Sequence, residues 1–237
     1  SNPNDGAVIG DSTFPGVKRP VVLRRDDALL HTMVLGPTGS GKTILLNHIA
    51  DSAITADQGL FVIDPTGGMV DYLVDNVPPH RRGDCVVIDL ADPEAVVGVN
   101  PLHLRRQADA HLVVDQLDSI FTRQWGSNYG PRSSDLNRGA LHTLMAAGPR
   151  LGMTFTLAEV PLLLTNAGFR RRLAGLVDEP TLIDFWSWYE RLGTGQTAVV
   201  SPLLNKYRSL LVRPPVRNFL AQARPSFSME EAMSQGK

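Results

Sequence analysis

The strongest structural signal in this chain of 237 residues is one short segment, which reads Gly36-Pro37-Thr38-Gly39-Ser40-Gly41-Lys42-Thr43. It matches the pattern G-x-x-x-x-G-K-[ST], in which glycines let the backbone fold into a concave nest of N–H groups facing phosphate oxygens. An apolar run precedes it at residues 31–35, and apolar side chains at helical spacing follow from Thr43 to Ala56. The segment is therefore predicted to be a phosphate-binding loop between a buried strand and an amphipathic helix.

The residue types in the loop predict how a nucleotide and a metal ion would be held. Lys42 is expected to contact the β- and γ-phosphates, and Thr43 to place its hydroxyl on Mg²⁺, which bridges the same phosphates. The following helix directs the positive end of its dipole at the anion. The predicted cofactors are ATP and Mg²⁺, and the predicted binding residues are Gly36, Thr38, Gly39, Ser40, Gly41, Lys42 and Thr43.

A site that hydrolyses ATP also needs a carboxylate near the metal, and three positions compete for this role. Asp64 follows the apolar run 60–63, and Asp89 follows the apolar run 85–88. Asp178 and Glu179 follow a stretch with helical rather than strand periodicity, which disfavours them. Because ligands bind at the carboxyl ends of strands in open α/β sheets, Asp64 and Asp89 join Lys42 as candidate catalytic residues. The alternative for both is an Asx turn that ends the strand.

The pattern of apolar residues changes after Asn100-Pro101 and predicts two kinds of structure. Before it, the runs 31–35, 59–63 and 85–90 are mainly apolar without polar–apolar alternation, as is typical of parallel strands covered on both faces. After it, helical spacing dominates over 109–121 and 136–147, with helix starts at Thr156, Pro180, Ser201 and Ser228. We predict an α/β, three-layer nucleotide-binding core over residues 1–102, a mostly helical domain over 103–224, and a return towards the core over 225–237.

Composition and charge limit the possible partners. With 43% hydrophobic and 20% charged residues, the chain is expected to be globular, and its net charge of -1 lacks the basic excess of proteins that coat nucleic acid. Between His103 and Arg224, however, 15 basic residues face 9 acidic ones. The exposed triplet predicted at Arg170 to Arg172 is either a DNA contact or a solvated face. Trp125, Trp186, Trp188 and Tyr189 are predicted to anchor the core.

The sequence also bears on disulfides and membranes. The single cysteine, Cys85, excludes an internal disulfide, and its place in an apolar run predicts a buried core residue. No run of about 18 apolar residues exists, so no membrane span is predicted. The expected location is the cytoplasm, with the inner face of a membrane reached through partners or missing segments.

Several motifs together resemble the HerA/FtsK superfamily of motor ATPases, above all the coupling proteins of type IV secretion and conjugative DNA transfer and the HerA-like helicases. They are the segment 31–36 leading into the loop, followed by Val62-Ile63-Asp64-Pro65-Thr66-Gly67, Val86-Val87-Ile88-Asp89 and Gly98-Val99-Asn100-Pro101-Leu102. In the helical part, the likeness extends to Trp125-Gly126, Gly130-Pro131-Arg132, residues 169–173, Asp184-Phe185-Trp186 and Asn205-Lys206.

The resemblance implies a RecA-like core with an inserted helical domain, a homo-hexamer with ATP sites at subunit boundaries, and movement of DNA, or of a protein substrate, by the assembled motor. Two positions depart from the family pattern, Thr66 and Gly68, where a basic and an acidic residue are common. The family's metal-linked Asp-Glu pair lies on a later strand, beyond the equivalent of Lys237. The chain is therefore expected to be truncated before the later core strands and to bind ATP with weak hydrolysis or none.

Two other classes of function stay open from the sequence. One is a nucleotide-gated adaptor, in which the helical domain grips a protein cargo and the loop acts as a switch without turnover. The other is a free-standing P-loop kinase or GTPase. A GTPase would need an Asn-Lys-x-Asp base reader, and the nearest match, Asn205-Lys206-Tyr207-Arg208, lacks the final aspartate.

Overall fold

The computed structural model describes residues 6–13, 16, 18–92, 94 and 97–234. Over these residues the chain is α/β and mostly helical, with one two-stranded antiparallel sheet. It divides into two compact units. We call residues 1–86 with 229–237 the loop unit, and residues 87–228 the helical unit. The domain boundaries predicted at 102 and 224 stay predictions.

The loop unit contains the sheet, the predicted phosphate loop and several helices. Strand β1 (Gly6–Asp11) pairs with β2 (Pro20–Arg24), with Gly6 opposite Arg24 and an irregularity between Val8 and Gly10. The helices are α1 (Arg25–Ala28), α2 (Lys42–Thr55), α3 (Gly68–Asn76) and α11 (Met229–Ser234), with a 3₁₀ turn at Pro79–Asp84. Helix α2 packs against β1 and α3. The helix predicted after the loop is confirmed.

Two polar contacts fix α2 in the loop unit. The hydroxyl of Tyr72 on α3 donates a hydrogen bond to Oδ2 of Asp51 on α2, at 2.8 Å. The guanidinium group of Arg81 donates to the carbonyl oxygen of Ile54, at 3.3 Å, near the end of α2. The positive charge of Arg81 there meets the negative end of the helix dipole, which is favourable. Together with the bond from Tyr72, this contact stabilises the position of the helix that begins at the loop.

The predicted parallel sheet is the main point at which the structure departs from the sequence pattern. Residues 31–35, 59–63 and 85–90 pair with no other strand among the described residues. Most of their side chains are exposed, with Met33 81% and Ile63 79% exposed, and Cys85 is exposed rather than buried. A parallel strand takes all its hydrogen bonds from neighbouring strands, so an apolar run alone does not guarantee pairing. A RecA-like three-layer core is thus not seen in the described part of the chain.

The helical unit has a continuous apolar core. Its helices are α4 (Ala110–Trp125), α5 (Pro131–Arg150), α6 (Glu159–Thr165), α7 (Ala167–Ala174), α8 (Pro180–Arg191), α9 (Gln196–Leu211) and α10 (Pro214–Leu220). Helix α5 lies at the centre and contacts α4, α6, α7, α8 and α9. Leu136, Leu141 and Leu144 on α5 are almost completely buried. Trp186 and Tyr189 are buried, and Trp125 and Trp188 pack at the edge of the core, which confirms the predicted anchors.

Local signals placed most of these helices correctly. Glu159 accepts hydrogen bonds from the backbone N–H and the hydroxyl of Thr156, at 2.6 and 2.8 Å, and the first of these is the half of a capping box that the glutamate supplies. The helix α6 itself begins three residues later than the predicted start, at Glu159. Pro180 begins α8, and α11 begins at Met229, next to Ser228. The predicted start at Ser201-Pro202 is wrong, because α9 begins at Gln196 and contains Pro202. The Gly236 cap expected from the sequence lies outside the described residues.

A chain of buried polar groups crosses the helical core. Tyr207 on α9 donates to Asn137 on α5, at 2.5 Å, and Asn137 donates to the hydroxyl of Tyr129, at 3.0 Å. The Tyr129 hydroxyl in turn donates to Asp118 on α4, at 2.6 Å. Burial raises the pKa of Tyr207 well above its usual value, so its hydroxyl stays protonated. The network fixes the relative positions of three helices.

Candidate nucleotide-binding site

The loop between residues 36 and 43 has the backbone conformation that its glycines permit. Gly39 and Gly41 have φ of 81° and 86°, in the left-handed region that side chains other than glycine rarely adopt. The N–H of Ser40 donates to the carbonyl of Pro37, at 3.2 Å, closing a turn. At Gly36 a Cβ atom would lie 2.5 Å from Oγ of Ser40, so the chain closes tightly there. The loop turns directly into α2 at Lys42.

The side chain of Lys42 folds back over the loop. Its ammonium group donates hydrogen bonds to the carbonyl oxygens of Gly36, at 2.8 Å, and Pro37, at 2.7 Å. A phosphate oxygen in the loop would compete with these two carbonyls for the same positive charge, and a charged acceptor forms the stronger bond. Lys42 is thus already positioned at the loop rather than extended into solvent.

The first turn of α2 favours an anion. It contains no acidic residue, so nothing on the helix opposes the positive end of its dipole. Thr43 is exposed, and within the described residues its hydroxyl has no hydrogen-bond partner. A free hydroxyl beside phosphate oxygens and water suits Mg²⁺, which prefers oxygen ligands. The residues present at the loop therefore fit a magnesium–nucleotide complex.

The carboxylate of Asp64 is used to shape the turn before α3. It accepts hydrogen bonds from the N–H of Thr66, at 2.9 Å, from the Thr66 hydroxyl, at 2.6 Å, and from the N–H of Met69, at 2.7 Å. These bonds, first of all the one from the hydroxyl, lower the pKa of Asp64 from 3.8 to about 2. Gly67, with φ of 85°, completes the turn. Such a carboxylate is a weak base at neutral pH.

Thr66 has a role that the sequence analysis missed. It stands where the resembled family often has a basic residue, and its hydroxyl makes the short bond to Asp64. The sequence contains the signal for this role, because an Asp followed two residues later by an N–H and hydroxyl donor is the pattern of an Asx turn.

Asp89 and the pair Asp178-Glu179 also have local partners. Asp89 accepts a hydrogen bond from the N–H of Ala91, at 2.8 Å, which is an Asx turn. It belongs to the helical unit, whereas Lys42 and Asp64 belong to the loop unit. Asp178 pairs with Arg150, which lowers the pKa of that carboxyl, and Glu179 precedes α8. The catalytic roles of Lys42, Asp64 and Asp89 stay predictions.

The Asn100-Pro101-Leu102 motif has a structural role in the helical unit. Asn100 is buried, and its amide group donates to the carbonyl oxygens of Phe155, at 3.0 Å, and Ala223, at 3.3 Å. Its own carbonyl accepts from the N–H of Leu102, at 3.0 Å. One side chain thus joins three segments that are distant in sequence.

Arg170 and the pair Lys206-Tyr207 are buried in the helical unit. Arg170 is buried and bonded to Glu190, at 2.8 Å, with its guanidinium carbon 4.8 Å from the centre of the Tyr189 ring, so it is unsuited to contact DNA. Lys206 and Tyr207 are buried in α9, and the Lys206 ammonium group donates to the carbonyl of Pro202. A base reader would have to present these side chains to a nucleotide, so the structure disfavours a GTPase of that kind.

The described ranges offer no alternative metal site. In those ranges no cluster of three or more His, Cys, Asp or Glu side chains is arranged to hold a metal ion. No helix there is both long and apolar enough to cross a bilayer. A metal ion at the loop would therefore depend on Thr43 and on the phosphates of a nucleotide.

Comparison with known proteins gives no relative: no family model, no curated protein and no solved structure matches the chain. Functional inference therefore depends on the motifs and on the geometry of the loop.

Proposed function

We propose that this chain binds the triphosphate of ATP, together with Mg²⁺, at residues 36–43. The observation that carries the proposal is the loop itself: two glycines in the left-handed region, a helix that begins at the loop, and the Lys42 ammonium held above it. This arrangement offers backbone N–H groups, a helix dipole and a positive charge to one anion.

Each residue has a defined part in holding the complex. Lys42 exchanges its carbonyl partners for phosphate oxygens, while Gly39 and Gly41 allow the N–H groups to converge. Thr43 supplies a hydroxyl to Mg²⁺, and the metal ion, when bound, neutralises charge on the phosphates. Asp64 keeps the turn at residues 64–67 in place through its three hydrogen bonds.

We further propose that the chain is the ATP-binding portion of a cytoplasmic, hexameric, DNA-translocating motor of the type IV coupling protein or HerA-like kind, with a RecA-like core in its assembled form. Sequence order supports this proposal. Three apolar segments each run directly into a turn with special chemistry: the phosphate loop, the Asp64 turn and the Asp89 turn. In a parallel sheet these turns would meet at the carboxyl edge, where ligands bind.

One observation favours a second candidate, a nucleotide-gated adaptor that holds a protein cargo without turnover. The carboxylates of Asp64 and Asp89 both accept local backbone hydrogen bonds, so neither is free as a catalytic base. Steady ATP turnover, measured with and without DNA, separates the two. Turnover by the purified chain well above that of a Lys42→Ala protein would contradict the weak hydrolysis that we expect.

Calorimetric titration with Mg-ATP tests the nucleotide site. Lys42→Ala should weaken binding by about 10- to 100-fold, because a hydrogen bond to a charged group contributes about 1.5–3 kcal/mol. The matched control is Lys18→Ala, which removes an exposed lysine of the same unit and should leave the affinity unchanged. Thr43→Val should reduce the gain in affinity that Mg²⁺ gives. Equal affinities for the two lysine variants would refute the proposed site.

A further inference from the structure

A long stretch of the helical unit carries only positive charge. Residues 191–228 contain no Asp or Glu, although the whole chain has 24 acidic residues. Six basic residues lie in this stretch: Arg191, Lys206, Arg208, Arg213, Arg217 and Arg224. This stretch therefore carries six positive charges and no negative one, even though the net charge of the chain is -1.

Three of these arginines lie in α10 or close to it in sequence. Arg213 is the residue before the helix, Arg217 lies within it, and Arg224 follows four residues after its end. All three are exposed, and within the described residues none of them has a carboxylate partner. By contrast, Arg138 and Arg150 are both paired with aspartates.

The segment that carries these arginines is held in place by backbone contacts. The N–H of Val99 donates to the carbonyl of Phe219, and the N–H of Ser226 donates to the carbonyl of Gly98, both at 2.8 Å. The approach is close, because a Cβ atom on Gly98 would lie 2.2 Å from the side chain of Gln222. Asn100 also binds the carbonyl of Ala223, the neighbour of Arg224. A fixed backbone presents the charges with little loss of entropy on binding.

The surroundings of the arginines distinguish between two kinds of anionic partner. A membrane-binding surface combines basic residues with exposed apolar side chains that enter the bilayer. Among the described residues from 191 to 228, Val212 is the only large apolar side chain that is clearly exposed, while Leu210, Leu211 and Leu220 pack against the core. Charge without an apolar face favours a phosphate backbone in water.

We propose that Arg213, Arg217 and Arg224 bind the phosphate backbone of nucleic acid. The contact deepens the proposed function, because it gives a DNA motor a specific contact surface in the helical unit. These three arginines, rather than Arg170 to Arg172, are then the contact with DNA, because Arg170 is buried. The side chains read no bases in this role, so the affinity should be independent of sequence and strongly dependent on salt.

The test is fluorescence anisotropy of a labelled 20-base-pair duplex with the full chain, without nucleotide, from 50 to 200 mM salt. The variant Arg213→Gln/Arg217→Gln/Arg224→Gln removes three charges. Each duplex phosphate contact contributes about 0.9 to the slope of log affinity against log salt, so the slope should fall by about 2.7. Over this fourfold range of salt, the wild-type affinity should fall about 40-fold more than that of the variant.

Matched variants make the result specific. Arg123→Gln/Arg171→Gln/Arg172→Gln removes three exposed arginines elsewhere in the same unit and should bind within about twofold of wild type. Replacing Arg213, Arg217 and Arg224 by lysine should keep most of the affinity, which separates loss of charge from loss of fold. The Arg213→Gln/Arg217→Gln/Arg224→Gln variant should bind Mg-ATP with wild-type affinity, so failure of the nucleotide site and failure of this surface are distinguishable.

Three results would overturn the proposal. The first is wild-type affinity and salt slope in the glutamine variant. The second is an equal loss in the control triple, which would mean that overall charge alone matters. The third is tighter binding to phosphatidylserine vesicles than to duplex at the same salt, which would assign the surface to a membrane.

Discussion

The loop unit and the helical unit bury their apolar residues to very different extents. Among the described residues, 24 buried hydrophobic side chains lie in the helical unit and four in the loop unit: Ala7, Ala50, Leu73 and Val77. The apolar side chains flanking the phosphate loop are largely exposed, including Leu35 at 82% and Ile44 at 75%. The helical unit thus has a core of its own, whereas the loop unit exposes the apolar surface from which a core would form.

The difference in apolar burial between the units bears on where a ligand can bind. Segments that bind ligands are usually drawn from the less stable part of a structure, because they have to rearrange. The loop, the Asp64 turn and the exposed apolar segments all belong to such a part here. All three tryptophans, Trp125, Trp186 and Trp188, lie in the helical unit, so tryptophan fluorescence reports on the unfolding of that unit.

The largest effect is expected from a cavity in the helical core. Leu136→Ala should lower the free energy of unfolding of the helical unit by about 2–5 kcal/mol, because Leu136 is completely buried on α5. Urea unfolding followed by tryptophan fluorescence measures it. The control, Leu112→Ala on α4, removes a side chain that is 59% exposed and should change the value by less than about 0.5 kcal/mol. Equal losses would mean that the core is not where we place it.

A smaller effect is expected from breaking the buried polar network. Tyr207→Phe leaves the side-chain oxygen of Asn137 buried without its donor, which should cost about 1–3 kcal/mol. In the loop unit, Tyr72→Phe breaks a solvent-exposed hydrogen bond to Asp51. It should destabilise α3, as measured by amide exchange, less than Tyr207→Phe destabilises the helical unit in urea unfolding. Should Tyr207→Phe destabilise no more than Tyr72→Phe, the contrast between the units would not extend to their polar contacts.

The smallest effect concerns the acid titration of Asp64. Its pKa is lowered to about 2 in the folded chain, so its hydrogen bonds stabilise the start of α3 above about pH 4. That contribution is lost as the pH falls from about 4 to about 2. The amide resonance of Met69, which donates to Asp64, should shift with a midpoint near pH 2. A midpoint near pH 4 would show that the turn is not formed in solution.

The sequence predicted best those features whose causes are local. Helical spacing, the Thr156–Glu159 capping box and Pro180 each act within a few residues, and the helices they predict are present. The helix start predicted at Ser201-Pro202 was wrong because α9 contains Pro202 in its interior. At the candidate site, the glycines and Lys42 could be assigned from the motif, since the loop conformation depends on the residues within it.

Features that depend on distant residues were not predictable in this way. The apolar run 31–35 has the composition of a strand, but pairing requires a neighbour that the run itself does not specify. Arg170 is buried because Glu190 and Tyr189 face it, and nothing in the Arg170 to Arg172 triplet distinguishes its three members. The carbonyl partners of Lys42 were likewise visible only once the loop was folded.

Amide hydrogen exchange across residues 36–43, with and without Mg-ATP, tests the central claim most directly. The account predicts that Mg-ATP slows exchange in this segment of the wild-type chain and that Lys42→Ala removes most of the protection. Unchanged exchange at the loop at saturating nucleotide, or protection confined to the helical unit, would contradict it.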